Sequence, residues 1–331
     1  MNEKTLLEIK DLHVEYHTLD GKAKALNGVN LTIEKGEAIG LVGETGAGKT
    51  TLALSILGLL SKEVAKVPKG EIWFDGANLQ DKKNKKLLQK LRGNRISMIF
   101  QNPLTSLNPV FTIGQQLDEV TLLHVPGATK ELAKAKSEEM LRLVGIIPEN
   151  VYNAFPHELS GGMRQRVMIA MALAAEPRLI IADEPTTALD VTIQAQILDL
   201  LQDIKNKIDG SILLITHDLG VIAEMADYVV VMYAGKVIEK GTVLEIFQDP
   251  KHPYTIGLQK SKPTMTLDDS TELYNIPGNV PNPINMPNHC YFKERCAMCK
   301  QKCSGDYPGM IQVSPTHFVA CHLYDKEENN G

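Results

Sequence analysis

A glycine-rich stretch, Gly43-Glu-Thr-Gly-Ala-Gly-Lys49-Thr50, constrains the fold of this chain more than any other feature. It follows a short apolar run, Glu37–Val42, that is typical of a buried strand, and it precedes Lys49–Leu60, whose pattern predicts a helix. Its spacing fits the G-x-x-x-x-G-K-[ST] pattern of a phosphate-binding loop. We therefore expect an α/β fold in which backbone N–H groups and a helix N-terminus bind phosphate oxygens.

Each residue type in this loop has a chemical reason to be there. Lys49 would reach the β and γ phosphates of a nucleoside triphosphate, and the Thr50 hydroxyl would bind Mg²⁺. A glycine-rich turn with a chance lysine is the alternative, and the flanking strand and helix argue against it. The predicted contacts to the nucleotide are Gly43, Glu44, Thr45, Gly46, Ala47, Gly48, Lys49, Thr50 and Thr51.

Two carboxylates end a second apolar strand, Leu179-Ile-Ile-Ala-Asp183-Glu184. Asp183 at the strand's end is suited to hold Mg²⁺ through water, and Glu184 to act as the base that orients an attacking water. An isolated Asp-Glu pair would more often be a surface turn. Beside a phosphate loop, the pair predicts the second half of a nucleotide-hydrolysing site.

Strands and helices alternate along the rest of the chain, which predicts a sheet with helices packed on it. The Lys- and Arg-rich Asp81–Arg95 reads as a solvated helix face or loop, and no internal repeat is visible. The predicted strands are Leu6–Tyr16, Ala25–Ile33, Ile72–Phe74, Ile96–Phe100, Leu179–Ala182 and Ile212–Thr216, with a hairpin over Asp227–Gly241 that turns at Ala234-Gly235. The predicted helices are Gly162–Ala175, Val191–Ile208 and, within a largely helical 113–145, Glu131–Val144.

The formal net charge is −5, which argues against nucleic acid as the main partner. No apolar run approaches the roughly 20 residues that span a bilayer, and the first residues lack the apolar stretch of a signal peptide. We therefore expect any role at a membrane to depend on partner proteins.

The segment Leu159-Ser160-Gly161-Gly162-Met163-Arg164-Gln165-Arg166 resembles the signature motif of ABC ATPases, in the family's order. The resemblance implies an ABC nucleotide-binding domain over residues 1–250, with a mixed sheet core, an antiparallel β subdomain and a helical subdomain at roughly 102–165. It also implies a head-to-tail dimer with a second ATPase, in which Ser160, Gly161, Gly162 and Gln165 close over the partner's ATP.

Other positions resemble the family's motifs. Gln101 is similar to the glutamine that senses Mg²⁺ and the attacking water, and Asp190, in Ala188-Leu189-Asp190, to the loop that crosses the dimer interface. His217 is similar to the switch histidine at the γ-phosphate, and Tyr16 to the aromatic that stacks on adenine; for both, plain packing is the alternative. The resemblance thus implies Glu184, His217 and Gln101 as catalytic residues, and Thr50, Gln101 and Asp183 around Mg²⁺.

Two stretches, Gln101–Pro109 and His252–Leu258, are similar to motifs of oligopeptide and dipeptide permease ATPases. This implies an ATPase at the cytoplasmic face of the membrane. Its expected partners are two transmembrane permease subunits, a second and paralogous ATPase and an extracytoplasmic peptide-binding protein. Import of nickel or another small solute is the alternative cargo, and a stand-alone ABC ATPase is the alternative class.

All five cysteines lie between Cys290 and Cys321, in a Pro-rich and irregular extension predicted over residues 251–331. The peptide-permease resemblance implies a [4Fe–4S] cluster on Cys290, Cys296, Cys303 and Cys321. Cys299 departs from that pattern and is either a spare thiol or a substitute ligand. Zn²⁺ suits four thiolates equally well, and free thiols or disulfides remain further alternatives.

Overall fold

The computed structural model describes residues 3–186, 191–208, 210–261 and 274–325. Their strands are β1 Thr5–Thr18, β2 Gly21–Glu34, β3 Ala38–Val42, β4 Ala65–Phe74, β5 Ala77–Asn78, β6 Ile96–Ile99, β7 Leu179–Asp183, β8 Ser211–Ile215, β9 Tyr228–Tyr233, β10 Lys236–Thr242, β11 Ile311–Gln312 and β12 Phe318–Val319. Their α-helices are α1 Lys49–Leu57, α2 Lys85–Leu91, α3 Pro103–Ser106, α4 Ile113–His124, α5 Lys130–Leu143, α6 Pro148–Val151, α7 Gly161–Leu173, α8 Val191–Ile208, α9 Leu219–Met225, α10 Val243–Gln248 and α11 Pro253–Lys260.

The described residues divide into two compact units. The first unit draws on Met1–Leu6, Ile33–Ala38 and Phe74–Thr216, and the second on Leu7–Thr32, Ile39–Trp73 and His217–Gly331. The predicted boundary near residue 250 and the limits of the predicted helical subdomain stay predictions.

The first unit is built on the parallel strands β6, β7 and β8. Ile99 lies opposite Ala182, and Asp183 lies opposite Ile215. Every residue of β7 and of β8 is buried, which explains why both sequences read as unbroken apolar runs. Because parallel strands end at the same edge, the residues that follow β6 and β7 come close together.

Helices α3 to α7 of the first unit pack mainly on one another. Helix α7 contacts α3, α4, α5 and β6, while α4 and α5 form a pair. Asp118 of α4 joins this group, because its carboxylate accepts hydrogen bonds from the hydroxyls of Ser137 (2.6 Å) and Tyr152 (2.5 Å). The predicted helices over 113–145 and Gly162–Ala175 are confirmed to within a few residues at their ends.

The second unit contains a mixed sheet and most of a separate one. Strand β9 runs parallel to β3 and antiparallel to β10, and β12 and then β11 extend that sheet beyond β10. In the separate sheet β1 lies between β2 and β4. The hairpin turn is confirmed, with φ of 47° at Ala234 and 80° at Gly235. The predicted α/β class is confirmed.

Two sequence-based boundaries were wrong in detail, and one helix was missed. Helix α1 ends at Leu57 because Gly58 adopts a left-handed conformation (φ 60°) that closes the helix. Strand β4 begins at Ala65, seven residues before the predicted Ile72, since its exposed polar residues weaken the apolar signal. Helix α11 was not predicted, although Pro253 at its first position and the His252 Nδ1 cap on the Tyr254 N–H (3.0 Å) are helix-start features.

Glu245 of α10 binds the connection between strands β11 and β12. Its carboxylate accepts hydrogen bonds from the Thr242 N–H (2.9 Å), the Thr242 and Thr316 hydroxyls (2.9 Å each) and the Ser314 hydroxyl. Burial by itself would raise the pKa of Glu245, but these hydrogen bonds outweigh it and lower the pKa from 4.5 to about 2.

We expect Glu245→Gln to lower the free energy of unfolding at pH 7 by roughly 1–2 kcal/mol, because hydrogen bonds to a charged group are lost at a partly exposed site. The Tm of the chain should fall with it. Since the folded pKa is depressed, the contribution of Glu245 is complete above pH 4.5 and disappears as pH falls toward 2. The difference in Tm between wild type and variant should therefore shrink over that range. Glu294→Gln, at an exposed carboxylate paired with Lys293, is the control. Equal Tm losses in both variants would contradict this role.

Candidate active site

The phosphate loop connects β3 to α1 in the second unit with a backbone that two glycines make possible. Gly43 has a φ of 153°, and a Cβ there would lie 2.3 Å from the Met232 carbonyl oxygen. Gly48 caps α1 with a φ of 98°, and a Cβ there would lie 2.6 Å from the Ala25 carbonyl oxygen. Any side chain at either position would displace the loop from the neighbouring backbone.

Lys49 connects the end of the phosphate loop to its beginning. Its Nζ donates hydrogen bonds to the carbonyl oxygens of Gly43 (2.7 Å) and Glu44 (3.1 Å), and the residue is only 7% exposed. Thr45, Gly46 and Thr50 are exposed, as groups that contact a ligand and a metal ion need to be. Ala47 is buried, and its carbonyl oxygen accepts the Gly235 N–H (3.0 Å) from the β9–β10 turn. The geometry is that of an anion-binding loop held rigid on its inner side.

Tyr16 lies beside the loop. Its hydroxyl is 3.3 Å from the Thr51 Oγ1 atom, and its side chain is half-buried in the second unit. A ring held at its hydroxyl end keeps a fixed orientation, which suits the predicted stacking on a base.

Gln101 and Glu184 meet in the first unit, although 83 residues separate them. The Gln101 Nε2 donates a hydrogen bond of 2.6 Å to the Glu184 Oε2. Gln101 follows β6 and Glu184 follows β7, so the parallel pairing of these strands explains the contact. Asp183, the last residue of β7, is 3% exposed.

The backbone at Glu184 is strained. Its φ is 48°, which is uncommon for a residue with a side chain, and its N–H donates to the Ile215 carbonyl oxygen (2.7 Å) at the end of β8. Backbone strain of this kind typically costs about 1–3 kcal/mol and is concentrated at functional sites. The hydrogen bond from Gln101 holds the carboxylate that this backbone carries.

The signature segment begins α7. The Ser160 Oγ accepts the Met163 N–H (3.3 Å) as an N-cap, and Ser160 and Gly161 are exposed, so this helix start is accessible to an anion. Gln165 differs from this pattern, because its side chain is 2% exposed and donates to the Pro185 carbonyl oxygen. It therefore binds Pro185, the residue that follows Glu184, within its own chain.

The remaining predicted residues fall in different places. His217 is exposed shortly after β8 and belongs to the second unit, as do Tyr16 and the phosphate loop. Gln101, Asp183, Glu184 and the signature segment belong to the first unit. Asp190 and the rest of Ala188-Leu189-Asp190 lie outside the described residues.

Two residues that contact the loop were missed by the sequence analysis. The Tyr254 hydroxyl accepts the Glu44 N–H, and Arg295 forms an ion pair with the Glu44 carboxylate. The signal that could have predicted Arg295 is Glu44 itself, since an acidic side chain in an anion-binding loop calls for a cation nearby.

No disulfide joins any of the five cysteines of the chain, all of which lie in the described residues. Cys303 and Cys321 are buried, Cys290 and Cys296 are half-buried, and Cys299 is exposed. Burial and then the nearby thiols of Cys290, Cys296 and Cys303 raise the pKa of Cys321 from 9 to about 11. Within the described ranges, no three or more His, Cys, Asp and Glu side chains are grouped so that they could hold a metal ion.

The β3–loop–α1 geometry and the Gln101–Glu184 pair define a P-loop ATPase. An ABC transporter family model matches residues 26–187, and one for the C-terminal region of oligopeptide/dipeptide transporters matches residues 238–303. In the part of the chain that is described, no helix has both the length and the hydropathy required to cross a membrane.

Similar proteins agree with both family matches. The chain is 50% identical over 319 residues to the oligopeptide transport ATP-binding protein OppD of Bacillus subtilis, covering 96% of this chain and 88% of the relative. It is 47% identical over 327 residues to the dipeptide transport ATP-binding protein DppD of Lactococcus lactis subsp. cremoris, covering 98% and 93%. A solved dimer of the ATP-binding cassette MJ0796, in a post-hydrolysis state with ADP and Pi, matches with a TM-score of 0.65 and 30% identity, covering 72% of this chain and 99% of the cassette. The chain therefore belongs to the ATP-binding subunits of the oligopeptide/dipeptide ABC transporter family.

Proposed function

We propose that this chain hydrolyses ATP to drive the import of oligopeptides or dipeptides through partner permease subunits. The cargo is assigned from the match of residues 238–303 to the C-terminal region of oligopeptide/dipeptide transporters. The proposal that the chain hydrolyses ATP is based on the phosphate loop and on the Gln101–Glu184 pair.

The proposed chemistry is phosphoryl transfer to water, in which the protein positions charges and does little covalent work. The loop N–H groups and Lys49 would bind the phosphates, and Thr50, Asp183 and Gln101 would hold Mg²⁺ and its water. Glu184, fixed by its hydrogen bond from Gln101, orients and deprotonates the attacking water. His217 contacts the γ-phosphate, and Tyr16 stacks on adenine.

The exposed start of α7 supports a head-to-tail dimer with a second, paralogous ATPase. Ser160 and Gly161 present an open helix N-terminus that would close over the partner's ATP, with Gly162 and Asp190 completing that contact, while the buried Gln165 acts indirectly through its hydrogen bond to Pro185. We place the dimer on the cytoplasmic face of the membrane, on two permease subunits that receive peptide from an extracytoplasmic binding protein.

Uptake measurements test the cargo. Cells that lack this chain should lose uptake of a labelled short peptide, keep uptake of labelled nickel, and regain peptide uptake when the chain is restored. Loss of nickel uptake alone would reject peptide as the cargo. If neither uptake changes and the chain does not co-purify with integral membrane proteins, the transporter role itself would be wrong.

We also propose that Cys290, Cys296, Cys303 and Cys321 hold a [4Fe–4S] cluster. The support is the number and type of the donors, because a [4Fe–4S] cluster takes four thiolates and these four cysteines all lie between Cys290 and Cys321. The exposed Cys299 is the thiol left over. Such a cluster would supply four metal–thiolate bonds that cross-link an extension with few regular elements. Its role here is structural.

Metal analysis of anaerobically purified protein tests this assignment. We expect about four irons per chain, and we expect Cys303→Ser to abolish the visible absorbance of the cluster while Cys299→Ser preserves it. One zinc and no iron would assign the site to Zn²⁺ instead. Loss of iron in Cys299→Ser would make Cys299 a ligand, and a metal-free wild type would reject the proposal.

A further inference from the structure

Glu44 of the phosphate loop is paired with Arg295, which lies 251 residues away in the cysteine-bearing segment. The Nη1 of Arg295 donates to the Glu44 Oε2 (2.7 Å), and its Nη2 donates to the Oε1 (3.1 Å). The side chain of Arg295 is 6% exposed and that of Glu44 is 28% exposed. This is a two-pronged and largely buried ion pair, the geometry in which such pairs are strongest and most directional.

Arg295 is itself held in place by its remaining donors. Its Nε donates to the Pro277 carbonyl oxygen (2.8 Å), its Nη2 to the Ile276 carbonyl oxygen (3.3 Å) and its Nη1 to the Tyr233 hydroxyl (3.3 Å). With the two bonds to Glu44, these contacts match the five N–H donors of a guanidinium group. The guanidinium therefore has one defined orientation.

The backbone that carries Arg295 is built from short turns between two thiols. The Lys293 N–H donates to the Cys290 carbonyl oxygen (3.1 Å), and the Cys296 N–H donates to the Lys293 carbonyl oxygen (3.2 Å). Phe292 of the same segment packs against Tyr233 and Tyr254, with ring centroids 5.3 and 5.5 Å away. The position of Arg295 thus depends on the fold of the Cys290–Cys296 segment.

The backbone of Glu44 is held by hydrogen bonds as well. The Tyr254 hydroxyl of α11 accepts the Glu44 N–H (2.8 Å), and Lys49 binds the Glu44 carbonyl oxygen. The chain after residue 250 therefore holds this loop residue by its side chain, through Arg295, and by its N–H, through Tyr254. The sequence analysis did not predict this connection between the extension and the phosphate loop.

An acidic residue in an anion-binding loop also has an electrostatic cost. Left alone, the Glu44 carboxylate would repel the phosphates of a nucleotide, whereas the Arg295 guanidinium neutralises it. We propose that Arg295 is a positioning residue for the phosphate loop, through which the cysteine-bearing extension sets the affinity for ATP. This rests on the ATP site of the proposed function and is independent of the transported cargo.

Binding of a fluorescent ATP analogue with Mg²⁺ to the full-length chain tests the proposal. We expect Arg295→Gln to weaken binding about tenfold or more, and Arg295→Lys, which keeps the charge without the two-pronged geometry, to weaken it severalfold. The double variant Glu44→Gln/Arg295→Gln should bind better than Arg295→Gln alone, because no unneutralised carboxylate remains. Lys302→Gln, which removes a cation of the same extension paired with Asp325, should bind as the wild type does.

ATP hydrolysis separates positioning from a general loss of structure. Arg295→Gln should raise KM for ATP and leave kcat within about twofold, since Gln101 and Glu184 are untouched. A folded Arg295→Gln with wild-type affinity, a lower kcat at unchanged KM, or a double variant no better than the single one would overturn the proposal. If Arg295→Gln does not fold, the same criteria apply to Arg295→Lys. A wild-type chain that binds no ATP would instead reject the proposed function.

Discussion

Glu184→Gln is expected to lower kcat for ATP hydrolysis by roughly 10²–10⁴-fold, the usual contribution of a general base, and to leave ATP binding intact. The amide keeps the size of the side chain and can still contact Gln101, which now lies 2.6 Å from the carboxylate. It cannot accept a proton from water, so bound ATP should accumulate. Single-turnover hydrolysis and nucleotide retention on the purified chain measure both effects, and peptide uptake in cells should fall in parallel.

Glu176→Gln is a matched control for this variant. Glu176 is in the same unit, has a similarly strained backbone with a φ of 51°, and is 67% exposed beside Lys136. The same chemical change at this position should leave kcat unaltered. If Glu184→Gln hydrolyses ATP at the wild-type rate, Glu184 is not the base, and the strain at its backbone has another cause.

Lys49→Met is the second substitution with a large expected effect. It should weaken ATP binding by about a hundredfold or more, because charge-assisted hydrogen bonds to phosphate are each worth roughly 1.5–3 kcal/mol. It also removes the internal bonds from Nζ to the Gly43 and Glu44 carbonyl oxygens, so the loop itself loosens. Titration with a fluorescent ATP analogue provides the measurement.

Lys66→Met is the control for charge alone, because Lys66 is an exposed lysine of β4 in the same unit. It should bind ATP with wild-type affinity. The two positions together distinguish loss of a specific phosphate contact from loss of one positive charge on the unit. Equal affinities of Lys49→Met and wild type would remove Lys49 from the site.

These predictions draw on two kinds of information. The residues of the phosphate loop, the strand that ends at Asp183-Glu184 and the helix that begins after Ser160 were all predicted from the sequence. Each is a local pattern, in which glycine positions, apolar runs and capping residues act over a few neighbours. The β9–β10 hairpin was predicted for the same reason, from a turn at Ala234-Gly235.

The pairing of distant segments was not predictable from such patterns. Gln101 comes within 2.6 Å of Glu184 because β6 and β7 are parallel neighbours, and strand neighbours are chosen by packing. The short strands β11 and β12 were missed because two residues carry almost no periodicity. Helix α11 was missed because frequent proline after residue 249 hid a short helix whose buried face is made by Tyr254.

By itself, the sequence determined the phosphate-binding chemistry, the α/β class and the order of the motifs, because these depend on interactions between residues close along the chain. Only the tertiary structure decided that Glu44 is neutralised by Arg295 and capped by Tyr254. Contacts over 210 and 251 residues follow from how the chain after residue 250 packs against the phosphate loop, and no local pattern of side chains encodes that packing.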